Sequence, residues 1–409
     1  MTDLLVLNLY FVPDRAATGM LLGQLCEGLA RDHTIRVISG TPTYNPESSA
    51  PSPVQAARIP LFPASRANLF VRLLNYALYT FGALVRGLLA PKSRSVMAWS
   101  DPPWISWIAW LVARIKGSRL ILVCQDVYPE IAFAIGGTTP PFRLRKLLGA
   151  FFSWPLRRAD AVVAIGDDMR RVLEGKGIEK IHVIENWQDE TKIRPTSARA
   201  FREANGWGDD DWVVMHSGNL GYSQHLEPLL RAAKLLADEK ALHFALIGDG
   251  ARKADLEAFA RANDLRNVSF LPYQPTDRLN ESLGAGDLHY VSLREEFVGL
   301  IVPSKIYGIL AAGKPILSTL PKACAASDFL SAAGCALHCD AQAHAIADTL
   351  RAALKEKDRV RSLGLRGREA LERGKTRSDA IARYRRVLFS EQRPDERAHS
   401  DDRARKASS

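Results

Sequence analysis

Acidic residues, cysteine and long apolar runs are all scarce in this chain. Asp and Glu number 45 against 55 Lys and Arg, which leaves +10 over 409 residues and implies an anionic partner of some kind. The five cysteines stand at 26, 124, 324, 335 and 339 without a CxxC, which excludes a disulfide scaffold and fits a reducing cytosol. Cys335, His338 and Cys339 are close together, but with no second pair they read as buried apolar cysteines rather than a metal site. Leu4 to Leu9 is too short for a signal-peptide core and runs into Tyr10-Phe11-Val12-Pro13, so it reads as a first buried strand. Leu69 to Ala90 is broken by Arg72, Asn75 and Arg86, and Pro102 to Ala113 is short, so neither is expected to span a membrane. With 28 Gly and 22 Pro the chain is neither collagenous nor disordered. A GxGxxG turn is missing too, which argues against a nicotinamide dinucleotide site.

What is present is unevenly placed. Residues 66–158 hold thirteen Lys/Arg and three acidic residues, residues 351–409 hold eighteen and ten, and the remainder is net acidic. In the first of these patches Leu69, Leu73, Tyr76, Leu84 and Leu88 lie beside Arg66, Arg72, Arg86, Lys92 and Arg94. That pattern suits either a helix in a lipid interface or a buried helix with solvated ends, which periodicity does not separate.

Short apolar runs alternate with helical patterns, the signature of βαβ units and a parallel sheet. Strands are expected at Leu4 to Leu9, Ile35 to Ser39, Ser95 to Trp99, Arg119 to Cys124, Ala161 to Ile165 and Lys180 to Ile184. The series begins again at Trp212 to His216, then Leu242 to Ile247, Val268 to Leu271, Leu288 to Ser292 and Pro315 to Ser318. Asp189 to Asp211 is polar and carries Pro195, Gly206 and Gly208, as a linker would. The expected division is a first doubly wound domain at 1–190, a second at 191–370, a returning helix at 371–390 and a disordered tail at 391–409. Two such domains put a ligand cleft between the carboxyl ends of their sheets.

Four turns can carry chemistry. Pro13 to Gly19 and Met215 to Gly221 are glycine-bearing strand-to-helix turns, where Gly19 and Gly218 would let backbone N–H groups approach a phosphate. Leu246-Ile247-Gly248-Asp249-Gly250 ends a strand. The stretch from Arg294 to Pro315, REEFVGLIVPSKIYGILAAGKP, combines acidic residues, a glycine turn, Lys305 and a small-residue helix. It can present N–H groups and Lys305 to a diphosphate while a carboxylate at 295 or 296 faces sugar hydroxyls.

Taken together, HSGNLG, ALIGDG, NVSFLPYQP, AGDLHYVSL and PSKIYGILAAGKPI resemble the donor half of family 4 retaining glycosyltransferases of the GT-B fold, an α/β architecture of two Rossmann-like domains. LNLYFVPDRAATGMLLGQLCEGLA, QDVYPE and VIENW add the first half, in the manner of the branch that builds colanic acid and fucosamine-type O-antigens. The resemblance runs over roughly residues 3–390 and implies a donor diphosphate near Gly218, Asn219 and the segment Gly299, Leu300 to Lys305, with base and ribose near Gly248, Asp249 and the LPY turn. The family's basic pair would fall at Asn219 and Gln224, neither charged, so Lys305 and Arg294 are the replacements expected. Its second glutamate would fall at Gly308, and Glu296 is preferred to Glu295 for the first. In the acceptor half Asp126 and Glu130 are the carboxylates of the QDVYPE loop, and Glu130 and Arg15 are the residues expected to bind the acceptor. Asp126 follows an apolar strand and would orient the acceptor hydroxyl or stabilise positive charge at the anomeric carbon, unless it is a helix cap or an arginine's partner. Asn186 and Trp187 are expected to shape the hinge.

The expectation is a retaining enzyme without metal or other cofactor. It would move a sugar from a UDP- or GDP-sugar to a polyprenyl diphosphate-linked saccharide at the inner face of the cytoplasmic membrane. In such enzymes the leaving phosphate is thought to take the acceptor proton. The rivals are a sugar-nucleotide epimerase or hydrolase of the same fold and a basic nucleic-acid binder. The second lacks zinc-finger spacing or an RNP-like motif, so nucleic acid is not an expected partner.

Overall fold

A computed structural model describes residues 2–14, 16–42, 54–63 and 69–389. Arg15, Arg66 and the tail from 390 lie outside the described residues, as does the side chain of Leu69.

The first domain is built on β1 (Thr2–Leu7), β2 (Ile35–Gly40), β3 (Ala56–Ile59), β4 (Ser93–Trp99), β5 (Arg119–Cys124), β6 (Ala161–Ala164) and β7 (Ile181–Val183). All pair in parallel in the order β3-β2-β1-β4-β5-β6-β7. Around them run α1 (Ala17–Leu29), α2 (Leu69–Leu89), α3 (Ile105–Lys116), α4 (Glu130–Gly136), α5 (Phe142–Arg157) and α6 (Asp167–Gly175). The crossover stretch after β7 leads to α7 (Arg199–Ala204), so the polar linker is partly helical: Phe201 and Trp207 are buried against Val213, Met215 and Ala245 of the second sheet.

The second sheet repeats the winding with β8 (Trp212–Ser217), β9 (Leu242–Ile247), β10 (Val268–Leu271), β11 (Leu288–Ser292), β12 (Ile316–Thr319) and β13 (Ala336–His338), in the order β10-β9-β8-β11-β12-β13. Its helices are α8 (Glu227–Leu235), α9 (Lys253–Ala262), α10 (Leu279–Ala285), α11 (Lys305–Ala311), α12 (Ala325–Ala333), α13 (Ala343–Lys355) and α14 (Lys357–Glu372). The central strands are mostly apolar and almost wholly buried because helices cover both faces, with His216 and His289 among the buried exceptions. Cys335 and Cys339 flank edge strand β13; Cys335 is buried in the core, all five cysteines are free, and His338 meets Ser331 instead.

The last helix, α15 (Arg377–Phe389), returns to the first domain, where Ala380, Tyr384 and Leu388 pack with Leu22, Leu25 and Leu29 of α1. Burying side chains of this size contributes roughly 1.5–3 kcal/mol each. Arg377 pairs with Asp189 and Glu27, and Lys375 and Arg383 with Glu185, so ion pairs clamp both crossings between the domains. In each sheet the winding reverses next to its first strand, between β1 and β4 and between β8 and β11, where the carboxyl ends leave a crevice.

Candidate active site

On the first-domain side three loops converge. Asp126 follows β5 and Asp101 follows β4, and the two strand ends are tied by the Ser100 hydroxyl, which accepts the Gln125 and Asp126 N–H groups at 3.0 and 3.2 Å. Asp14, buried after β1, holds the Ala16 amide at 3.1 Å. Burial and the adjacent Asp126 push Asp101 up to about 7, against a lowering hydrogen bond from Tyr76; burial raises Asp126 to about 6. At neutral pH the coupled pair therefore sits near the point of holding one proton. A cavity of about 30 Å³, space for a water or two, lies beside Asp126 among Trp99, Leu122, Tyr128, Phe152 and Leu156. Asp126 does not cap α4, which begins without a side-chain cap. Glu130 opens α4 and is ion-paired with Lys176, its second oxygen buried without a partner.

On the second-domain side the turns after β8, β9 and β11 stack on one another. Gly218 has φ +137° and Gly248 +148°, and a Cβ on Gly248 would fall 1.9 Å from the Gly218 carbonyl oxygen. Only glycine permits that approach. Lys305, the first residue of α11, lies against Gly218: a Cβ there would be 3.3 Å from Nζ. Nζ is 3.0 Å from Nε2 of His216, a residue wholly buried at the end of β8. Burial and then Lys305 hold His216 well below its ordinary value, so the imidazole is neutral and can accept from the ammonium. Burial lowers Lys305 to about 7.

Asn219 is exposed, its carbonyl near His216, and Asp249 is exposed with its carboxylate on the Gly250 amide. Arg294 donates its amide to Ser223 and has a buried Nε without a partner; Glu296 is exposed on the next turn. Gly299 and Leu300 pack at the seam between the two domains. A Cβ on Gly299 would strike Val172 and the Asp168 backbone of the first domain, the Leu300 amide is donated to Phe297, and the Leu300 carbonyl accepts from Val127 at 3.0 Å. This turn joins the two halves and has no spare Leu300 N–H to offer. Asp168 strengthens the same seam by accepting the Ala325 amide at the start of α12. Gly19 is buried inside α1 against the backbone of Tyr10 and Phe11, a packing contact. Asn186 pairs with Gln125, and Trp187 with Gln24.

Known proteins give the arrangement a context. Residues 18–187 match the glycosyl transferase 4-like domain and residues 197–370 match glycosyl transferases group 1. The chain belongs to the GT-B glycosyltransferases. It is 28% identical over 338 residues to the putative colanic acid biosynthesis glycosyl transferase WcaI of Escherichia coli K12, covering 76% of this chain and 81% of that one. With the probable glycosyltransferase WbjE of Pseudomonas aeruginosa it shares 30% identity over 254 residues, 61% and 63% of the two chains. Among solved structures, Anabaena HepE in complex with UDP and glucose superposes with a TM-score of 0.73 at 14% identity, covering 96% of this chain and all of that one. WaaG, a glycosyltransferase involved in lipopolysaccharide biosynthesis, gives 0.69 at 14% identity, with 95% of this chain and all of that one covered.

Within this glycosyltransferase three groups escaped sequence reasoning. His216 stands in the HSGNLG motif, but its contact with Lys305 spans 89 residues. Asp101 follows its strand as Asp126 follows the next, and that shared position was the available signal. Tyr76 reaches Asp101 from α2, for which no local pattern exists. Among the described residues no group of three or more His, Cys, Asp or Glu is gathered as a metal would require.

Proposed function

We propose that this glycosyltransferase moves a sugar, with retention of anomeric configuration, from a UDP- or GDP-sugar to a polyprenyl diphosphate-linked saccharide in bacterial surface polysaccharide synthesis, exopolysaccharide or O-antigen. The observation that carries the reading is the hydrogen bond from Val127 to Leu300, which brings the Asp126 loop against the loop leading into Lys305. The loop that carries the carboxylate and the loop that precedes the cation thereby meet where the two domains join. The relative named for colanic acid biosynthesis and the likeness to WaaG of lipopolysaccharide biosynthesis support the pathway class, and the UDP and glucose bound by HepE support the donor class.

In this reading the donor diphosphate lies over the Gly218 and Gly248 turns. Lys305 meets the charge that grows as the bond from the anomeric carbon to the phosphate oxygen breaks. The acceptor oxygen forms its new bond to that carbon on the same face, and its proton passes to the departing phosphate oxygen. Asp126 stabilises the positive charge that develops at the anomeric carbon, while Arg294 and Glu296 hold the sugar. Neither a metal nor a cofactor is assigned a part. The enzyme would work as a peripheral protein at the cytoplasmic membrane; among the described residues no helix is long and apolar enough to cross one.

The test is a screen of UDP- and GDP-sugars for thermal stabilisation, followed by transfer to lipid-linked saccharides. One nucleotide-sugar should raise the melting temperature and support transfer. Absence of stabilisation by every nucleotide-sugar would overturn the reading.

A further inference from the structure

Large apolar side chains are exposed in one region of the molecule far more than elsewhere. On α2, Phe70, Phe81 and Leu89 are 75, 70 and 80% exposed, and on α5 Phe142 and Leu147 are 68 and 67% exposed. The inward side of α2 is well packed: Asn75, Tyr79 and Ala83 are buried, and Asn75 exchanges two hydrogen bonds with the backbone of Phe62. The outward apolar residues are therefore the free side of a firmly seated helix. Among the described residues nothing covers the first half of α5: every residue from 142 to 147 is exposed, and the helix is anchored by Ser153 and Pro155 near its end.

Charge accompanies the apolar surface. Helices α2, α3 and α5 contain no acidic residue and carry eight cations, of which all but Lys116 are exposed, Arg72, Arg86, Arg143, Arg145 and Lys146 among them. An indole cluster closes the space behind them, with Trp107 stacked on Trp154 at 4.5 Å and on Phe151 at 5.1 Å. Nucleic acid or an acidic protein would satisfy the cations but leave the phenylalanines and leucines in water. A lipid interface with negative head groups takes both.

We infer that the outward face of α2 and the first half of α5 form a docking surface for an anionic lipid bilayer. The same two helices build the inner wall of the acceptor site. Tyr76 of α2 reaches Asp101, and Phe152 and Leu156 of α5 line the cavity at Asp126. Docking thus presents the acceptor crevice to the membrane surface, so that a lipid-anchored saccharide reaches Asp126 without leaving the bilayer; this last clause rests on the function proposed above.

The experiment is flotation of the full chain with vesicles of phosphatidylcholine alone or mixed with phosphatidylglycerol, for wild type, for Phe142→Ser with Leu147→Ser, and for Arg143→Gln with Arg145→Gln and Lys146→Gln. These residues lie on an exposed helix end outside the crevice, and stabilisation by UDP or GDP, whichever the wild type binds, reports an intact donor site in each. Wild type should float with phosphatidylglycerol vesicles, lose that binding in high salt and bind phosphatidylcholine weakly, and both variants should bind at least tenfold less with an unchanged nucleotide response. A wild type that stays soluble with every vesicle, or variants that float as wild type does, would overturn the inference. So would binding of DNA, or self-association, that the same substitutions abolish. Vesicle binding without a response to either UDP or GDP would leave the docking surface standing and remove the proposed function, and the converse result would do the reverse.

Discussion

Lys305→Met separates the cost of a buried cation from its use. In the unliganded chain the ammonium is enclosed beside neutral His216, and burial lowers it from 10.5 to about 7. A base whose folded value is depressed binds fewer protons folded than unfolded between those two limits. Stability therefore rises with pH from about 7 to 10.5, and below 7 the charged lysine costs the fold its full amount. Each unit is worth about 1.4 kcal/mol, so even half of the interval makes the apolar, similarly shaped methionine stabilising by roughly 2 kcal/mol at pH 6. A bound diphosphate reverses the balance, because a charge-assisted hydrogen bond contributes about 1.5–3 kcal/mol, on the order of ten- to a hundredfold in affinity. Denaturant unfolding at pH 6 and calorimetric titration with UDP measure the two effects. The variant should be more stable without ligand and should bind UDP at least tenfold more weakly. Wild-type affinity should also fall about tenfold from pH 7 to 8.5, as Lys305 loses its proton, while the variant stays flat. Equal UDP affinity in the two proteins would refute the assignment, and a destabilised variant would refute the electrostatic account of Lys305.

The acceptor side has its own signature. With Asp126 active as the carboxylate and raised to about 6, and Lys305 active as the cation and lowered to about 7, kcat/KM should be bell-shaped with its maximum between those values. Asp126→Asn should remove the acid limb and lower kcat more than tenfold with UDP binding intact; a wild-type profile in this variant would return Asp126 to a structural part. Gly248→Ala should abolish UDP-induced stabilisation and cost about 3 kcal/mol, since its Cβ collides with the Gly218 carbonyl and its φ is +148°; calorimetry showing a normal UDP response would contradict the stacked-turn geometry. Tyr384→Ala, which empties the contact of α15 with the first domain, should cost about 3–5 kcal/mol in denaturant unfolding while leaving the isolated turns after β8 and β9 untouched.

Much of this architecture was legible because its central strands are covered on both faces. Continuous apolar runs such as Arg119–Cys124 and Leu242–Ile247 announce themselves, and their bounds agree with β5 and β9. Edge strands are divided: Val268–Leu271 has the bounds of β10 and Lys180 to Ile184 encloses β7, whereas β3 has only Ile59 buried and β13 is three residues long with an exposed end, and neither was expected. The same divide holds in the crevice. Lys305 and the Gly218 and Gly248 turns are local chemistry that a sequence displays. His216 gains its meaning only when α11 folds back on β8, and Asp101 only when the βαβ crossover sets it beside Asp126. Gly299 is the instructive case, because a glycine turn before a lysine has the composition of a phosphate loop, yet its missing side chain makes room for Val172 across the cleft. The outward face of α2 was visible as cations among apolar residues, but its exposure depended on which side Tyr79 and Ala83 would bury.

The central claim is that one crevice joins a sugar from a nucleotide donor to a lipid-linked saccharide with retention, and incubation of the full chain with the stabilising nucleotide-sugar and such an acceptor tests it most directly. Mass spectrometry of the extracted lipid should show the gain of one sugar residue, nuclear magnetic resonance should show the donor's anomeric configuration in the new linkage, and Asp126→Asn should give at least tenfold less product. A product of inverted configuration, or release of free sugar with no change in the acceptor's mass, would contradict it.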